Sequence, residues 1–158
     1  YGATLGTWYM NGEAPLEVTC VVDEIPGIEV DQHSITVCRY ARGLSKMETR
    51  WGTFTDPWMQ QPQPKCGFVF VGADGTIASE DYSDRITVQT RATPNVTPMP
   101  VDPLPVGRRN GIEYMLACLK SGAPITGPLE PELCLTAQRI VDTAAKSAAE
   151  KRTLALLP

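Results

Sequence analysis

The stretch from Pro131 to Arg152 restricts the fold more than any other. Pro131 stands where a first helical residue would, and Leu133, Ala137, Ile140, Val141, Ala144 and Ala148 then recur on one face of a long helix. Before it, residues 109–124 place Ile112, Met115, Leu116 and Leu119 at i, i+3, i+4 and i+7, a second apolar stripe. Gly122 occupies the expected C-cap position and Pro124 prevents continuation. Residues 153–157 read as a closing strand. Two helices with one-sided stripes require a flat apolar partner, and the rest of the chain must supply it.

The preceding residues are strand-rich. Leu16, Val18, Cys20 and Val22 alternate with Glu17 and Thr19, and residues 34–40 alternate again. With Ala41-Arg42-Gly43 as a turn and residues 45–54 as the return strand, this predicts an antiparallel hairpin. Residues 66–71 and 76–82 flank Ala73-Asp74-Gly75 as a second hairpin, and residues 85–91 are a further strand. Residues 55–65 hold three prolines and read as a loop. Residues 92–107 hold five and read as a stiff connection rather than a packed element. Clustered strands with helices at the ends predict an α+β fold: an open, mostly antiparallel sheet with helices packed on one face. Val18, Cys20, Val37 and Val88 are expected to look toward the helices. Glu17, Thr19, Thr36, Thr87 and Gln89 are expected on the opposite face, together with either Lys46, Glu48 and Arg50 or Met47, Thr49 and Trp51. That second face is semi-polar and suits solvent or a partner subunit.

A chain of 158 residues with net charge −4 fits one domain and offers no basic stripe for nucleic acid. No apolar run approaches the roughly 20 residues that span a bilayer. Five cysteines without a C-x-x-C pair each sit in an apolar periodic segment, which predicts buried, reduced thiols and a cytoplasmic protein. The chain opens at Tyr1 already in a helical pattern, with Leu5 and Trp8 at helical spacing and Asn11-Gly12 as the stop. A natural amino terminus rarely begins inside an uncapped helix, so a piece of a longer protein is expected.

Chemical motifs are sparse. There is no G-x-G-x-x-G after a strand and no phosphate-binding G-x-x-x-x-G-K-[ST]. His33 is the single histidine and has no catalytic partner signature, so a structural or solvent-exposed role is expected. Asp23, Glu24, Glu29 and Asp31 surround Pro26-Gly27 and read as a solvated loop rather than a metal site. Among the aromatic residues Trp8, Tyr9, Trp51, Phe54 and Trp58, most read as core or interface. Trp58, in the proline-rich loop, is best placed to line a pocket.

The order of several motifs resembles the C-terminal domain of the glucose–fructose oxidoreductase/inositol dehydrogenase (Gfo/Idh/MocA) family. They are R-N-x-I-E-Y from Arg109, the helix end at Gly122 and Pro124, G-P-L-x-P-E from Gly127, Ser147-Ala148, and the closing strand at residues 153–157. V-D-x-H-S-I-T-V from Val30, G-L-S-K-M-E-T-R-W from Gly43 and F-V-F-V-G-A-D-G-T-I-A from Phe68 resemble the family's strand pairs. The resemblance implies that residues 1–158 form a substrate-binding and oligomerisation domain. It implies a parent NAD(P)-dependent oxidoreductase acting on a sugar, polyol or related hydroxy compound. The cofactor would be bound mainly by an N-terminal Rossmann domain absent from this chain, and subunit contacts would be made by the open sheet face. Tyr1 corresponds to the His/Tyr position of the family's D-x-x-x-H/Y motif and is the expected acid/base or orienting group. Trp8 and Trp58 are the expected substrate contacts. This chain alone is expected to bind no cofactor and to be inactive. A non-enzymatic interaction module that binds a partner through its open sheet face is the alternative from a different class.

Overall fold

The computed structural model describes residues 1–50, 66–81 and 83–158. The chain divides into two compact units, one of residues 1–52 and 110–158 and one of residues 53–109. The predicted α+β class with antiparallel strands is what the structure shows, with one four-stranded sheet in each unit.

The first unit comprises α1 (Gly2–Tyr9), β1 (Glu17–Glu24), β2 (Asp31–Tyr40) and β3 (Gly43–Arg50). It also holds α2 (Gly111–Ser121), a 3-10 turn at Gly127–Leu129, α3 (Pro131–Glu150) and β8 (Leu154–Ala155). Its sheet runs β3-β2-β1-β8, all antiparallel. One face carries Val18, Cys20, Cys38 and Tyr40, which pack with Ala3 of α1 and Ala137, Ile140 and Ala144 of α3 into a single core. The register corrects the expected facing of β2. Val18 pairs with Cys38 and Cys20 with Thr36, so Thr36 is buried under the helices while Val37, opposite Thr19, lies on the other face. Direct cross-strand partners share a face whatever their polarity. Burial costs Thr36 little, because its hydroxyl donates to Cys20 Sγ at 3.2 Å. The same register puts Lys46, Glu48 and Arg50 on the open face.

Helix α3 buries Leu133, Ala137, Ile140 and Ala144 as its periodicity predicts, but Val141 is 53% exposed and Thr143 and Ser147 are fully buried. The two hydroxyls bond backbone that the short β8 leaves unpaired. Thr143 Oγ1 donates to Arg139 O at 2.6 Å and accepts from Leu157 N at 3.1 Å. Ser147 Oγ accepts from Cys20 N at 3.0 Å and donates to Arg152 O at 2.7 Å. Since Glu17 pairs with Ala155 and Val18 with Leu154, Cys20 stands opposite Arg152, and the Ser147 hydroxyl is inserted as the next rung of that ladder. The helix ends in a Schellman arrangement, with Lys151 N bonded to Ala148 O and Arg152 N to Ser147 O. Lys151 itself takes the left-handed conformation, φ 53°.

Helix α2 begins at Asn110, whose side chain accepts from Glu113 N at 2.9 Å, and ends at Gly122 in the left-handed conformation, φ 70°. Its predicted stripe does not lie on a sheet in this unit. Ile112 is 70% and Leu119 72% exposed, and Cys118 is its buried residue. The chain leaving α2 folds back on the opposite side, where Tyr114 Oη accepts from Thr126 N at 2.9 Å and Cys118 Sγ approaches Pro124 O.

The second unit's sheet runs β4 (Gly67–Val71), β5 (Gly75–Glu80), β6 (Arg85–Thr90) and β7 (Thr97–Pro100). Val88 pairs with Ile77 here and belongs to this sheet, not to the helix-covered one. The proline-rich stretch expected to be a bare connection supplies β7, an edge strand. Val101 N donates to Asp84 O at 3.0 Å, so in this register Thr97 and Met99 also turn inward while Pro98 and Pro100 point outward, where no ladder donor is needed. Cys66 and Cys134 are exposed, unlike the predicted buried thiols, whereas Cys20, Cys38 and Cys118 are buried.

The seat of α1 is a buried polar cluster. Thr7 Oγ1 and Tyr40 Oη lie 3.2 Å apart, and Ser45 Oγ is enclosed beside them. Burial pushes the Cys38 thiol up to about 11 and raises the Tyr40 phenol, with Ser45 and Thr7 partly offsetting the rise.

Three outcomes follow for stability. Ser147→Ala strands the Cys20 N–H and should cost about 1–3 kcal/mol in denaturant unfolding. Lys151→Gly relieves the left-handed strain at the helix end and should stabilise by about 1 kcal/mol in the same measurement. Folded Cys38 keeps its proton to about pH 11 against an ordinary value of 9.0. The unfolded chain therefore binds fewer protons between these values, and stability should fall by about 2 kcal/mol as pH rises through that window. Unfolding curves at pH 8 and pH 10.5 measure the fall.

Candidate functional site

Helix α1 carries two of the three residues singled out in the sequence. Its inner side is built from small residues that let it approach the sheet closely. A Cβ at Gly2 would fall 2.7 Å from Met47 Cγ, and one at Gly6 would lie 3.4 Å from Ser45 Oγ. Ala3 and Thr7 are buried on this side. Tyr1, Leu5 and Trp8 sit at i, i+4 and i+7 and share the outer face, so Tyr1 and Trp8 are separated by about 10 Å along the helix axis.

Tyr1 stands at the N-cap, its carbonyl accepting from Leu5 N at 2.9 Å and its side chain fully exposed. The first turn holds no acidic residue. Trp8 is 39% exposed and its ring lies 4.9 Å from that of Tyr9, tilted by 51°. The two half-exposed rings meet at an angle about two turns along α1 from Tyr1. Trp58, the third residue, lies outside the described residues.

Two groupings were not anticipated. The Thr7–Tyr40 pair holds α1 from beneath across 33 positions of sequence, and only the fold brings it together. On the open face of the first sheet, Arg50, His33, Glu48 and Lys46 form a continuous hydrogen-bonded run. The single histidine is the one sequence sign of it. In the second unit, Asp74, Thr76, Gln89, Thr90, Arg91 and Pro94 line an open groove of about 250 Å³ at the end of the β5–β6 pair. Arg91 Nε lies 3.6 Å from Asp74 Oδ1 there, so its charge is already matched.

Among the described residues no group of three or more His, Cys, Asp or Glu side chains is arranged to hold a metal ion. No helix among them is long and apolar enough to cross a membrane. Every ladder among the described residues is antiparallel, and the sequence has no glycine-rich turn leading from a strand into a helix.

No family model matches the chain, and no curated protein sequence matches it. Solved structures do. Aldose-aldose oxidoreductase from Caulobacter crescentus, complexed with glycerol, matches 99% of this chain and 45% of its own at 18% identity and TM-score 0.72. An oxidoreductase from Agrobacterium radiobacter, in complex with NAD+, L-tartaric acid and magnesium, matches 97% of this chain and 46% of its own at 18% identity and TM-score 0.68. Levoglucosan dehydrogenase, in complex with NADH and levoglucosan, matches 96% and 47% at 17% identity and TM-score 0.68. This chain thus spans about half the length of the structures it matches. Over that half its fold is the one found in oxidoreductases of the Gfo/Idh/MocA type.

Proposed function

We propose that this chain is the substrate-binding and subunit-contact domain of an NAD(P)-dependent oxidoreductase acting on a sugar, polyol or related hydroxy compound. The observation that carries the reading is the match of nearly the whole chain to half of a dehydrogenase complexed with NADH and levoglucosan. The nicotinamide cofactor, which supplies hydride acceptance or donation when bound, belongs in this reading to a separate Rossmann domain. The work of this chain is to bind and orient the hydroxy substrate. Tyr1, at the start of α1, is the acid/base or orienting donor in this reading. Trp8, with Tyr9 against it, supplies apolar surface for the carbon face of the substrate. Thr7, Tyr40 and the Gly2–Met47 contact hold α1 at a fixed height and so position these groups.

The open face of the first sheet is the contact for a second copy in this reading. It exposes Val21 and Leu44 beside Ile35 and Val37, with the Glu17–Arg39 ion pair at one side, a mixture typical of an interface that also tolerates water. Arg39 holds the Glu17 carboxyl below its usual value and is itself raised by it.

Calorimetric titration of the 158-residue chain tests the division of labour. NADH should show no saturable binding, whereas monosaccharides and glycerol should bind weakly, and Trp8→Ala should weaken that binding by about three- to tenfold. Saturable NADH binding would overturn the reading. Self-association without any polyol binding would favour the interaction module instead.

A further inference from the structure

His33 is the chain's single histidine and stands in the middle of the run on the open face of the first sheet. Its cross-strand partner on β3 is Arg50, whose Nη2 lies 3.2 Å from His33 Nδ1. On the other side, His33 Nε2 lies 2.9 Å from Glu48 Oε1, and Lys46 Nζ donates to Glu48 Oε2 at 3.2 Å. A guanidinium only donates and a carboxylate only accepts. Nδ1 must therefore accept, and the ring proton must sit on Nε2. The heavy-atom geometry selects one neutral tautomer.

A second ring proton is incompatible with this arrangement. It would place an N–H on Nδ1 facing the Arg50 N–H, two donors and two positive charges 3.2 Å apart. The Glu48 contact would survive and strengthen. His33 and Lys46, in that order of effect, hold the Glu48 carboxyl below its usual value. The other charged groups near His33 are Asp23, its cross-strand partner on β1, and Asp31, two residues earlier on its own strand.

We propose that His33 is a proton-operated latch for Arg50, closed when the imidazole is neutral and released when it gains its second proton. Latched, the guanidinium lies along the sheet with a partner. Released, it projects from the open face and must keep its water, and an interface formed there then buries an unpaired cation or excludes it. The effect on assembly rests on the subunit-contact reading above, whereas the latch itself does not.

The experiment has two arms on the whole chain. Nitrogen-15 spectra, unambiguous with one histidine, should show the Nε2–H tautomer at pH 8, and the Arg50 guanidinium resonances should move with the imidazole titration. A dominant Nδ1–H tautomer, or Arg50 resonances indifferent to that titration, would overturn the latch. Sedimentation should show a self-association constant about tenfold weaker at pH 5.5 than at pH 7.5. His33→Gln, which keeps a donor and an acceptor but gains no proton, should remove the difference. A pH dependence that persists unchanged in H33Q would refute His33 as its cause. Absence of association at every pH would refute the subunit-contact reading, and the spectra would still decide the latch.

Discussion

A single hydroxyl, that of Ser147, joins the three parts on which the first unit depends. It accepts a hydrogen bond from the Cys20 amide of β1, donates one to the Arg152 carbonyl of the tail, and is itself carried by α3. Strand β8 has only two residues, so β1 would otherwise face α3 with an unpaired donor in a buried place. A side chain that both accepts and donates can stand between an N–H and a C=O and extend the ladder by one rung. An aliphatic residue at this position fills the space and leaves both groups unmatched. Thr143 performs the same service one turn earlier for Leu157. The closing helix is therefore both lid and edge strand, and its polar residues on the buried side are as much a part of the core as Ile140.

How the chain's elements could be read in advance follows from how local their causes are. The Pro131 start, the Gly122 cap and the β2–β3 turn depend on residues within one or two turns of each other and are where their patterns place them, as is the α3 stripe apart from the exposed Val141. The facing of β2 was not legible. Ile35 and Val37 look more hydrophobic than Thr36 and Cys38, and the choice is made by β1, whose Val18 and Cys20 dictate which of the two series is buried. Strand β7 was hidden by its prolines, which forbid a central strand but not an edge. The stripe of α2 was visible as a stripe, but periodicity does not say whether a partner lies inside the same unit.

The candidate site was legible to a similar depth. Helical spacing predicts a helix here, and α1 is there, with Tyr1 at its N-cap and Trp8 in its last turn. What seats that helix is not a pattern at all. Gly2 and Gly6 matter because Met47 and Ser45 come up beneath them, and Thr7 matters because Tyr40 reaches it from another strand. These causes are separated by more than thirty positions and exist only once β2 and β3 are paired. A substitution on β3 is thereby a substitution in the seat of the helix that presents the aromatic residues.

The outward-facing prolines of β7 give the second sheet a direction. Along Pro98 and Pro100 its outer rim offers carbonyl oxygens and no amide hydrogen, so a stray strand arriving there meets acceptors only. The opposite rim, β4, carries no proline between Gly67 and Val71. Growth of the sheet by edge pairing, whether in folding or in aggregation, is thus opposed along these two prolines by covalent chemistry.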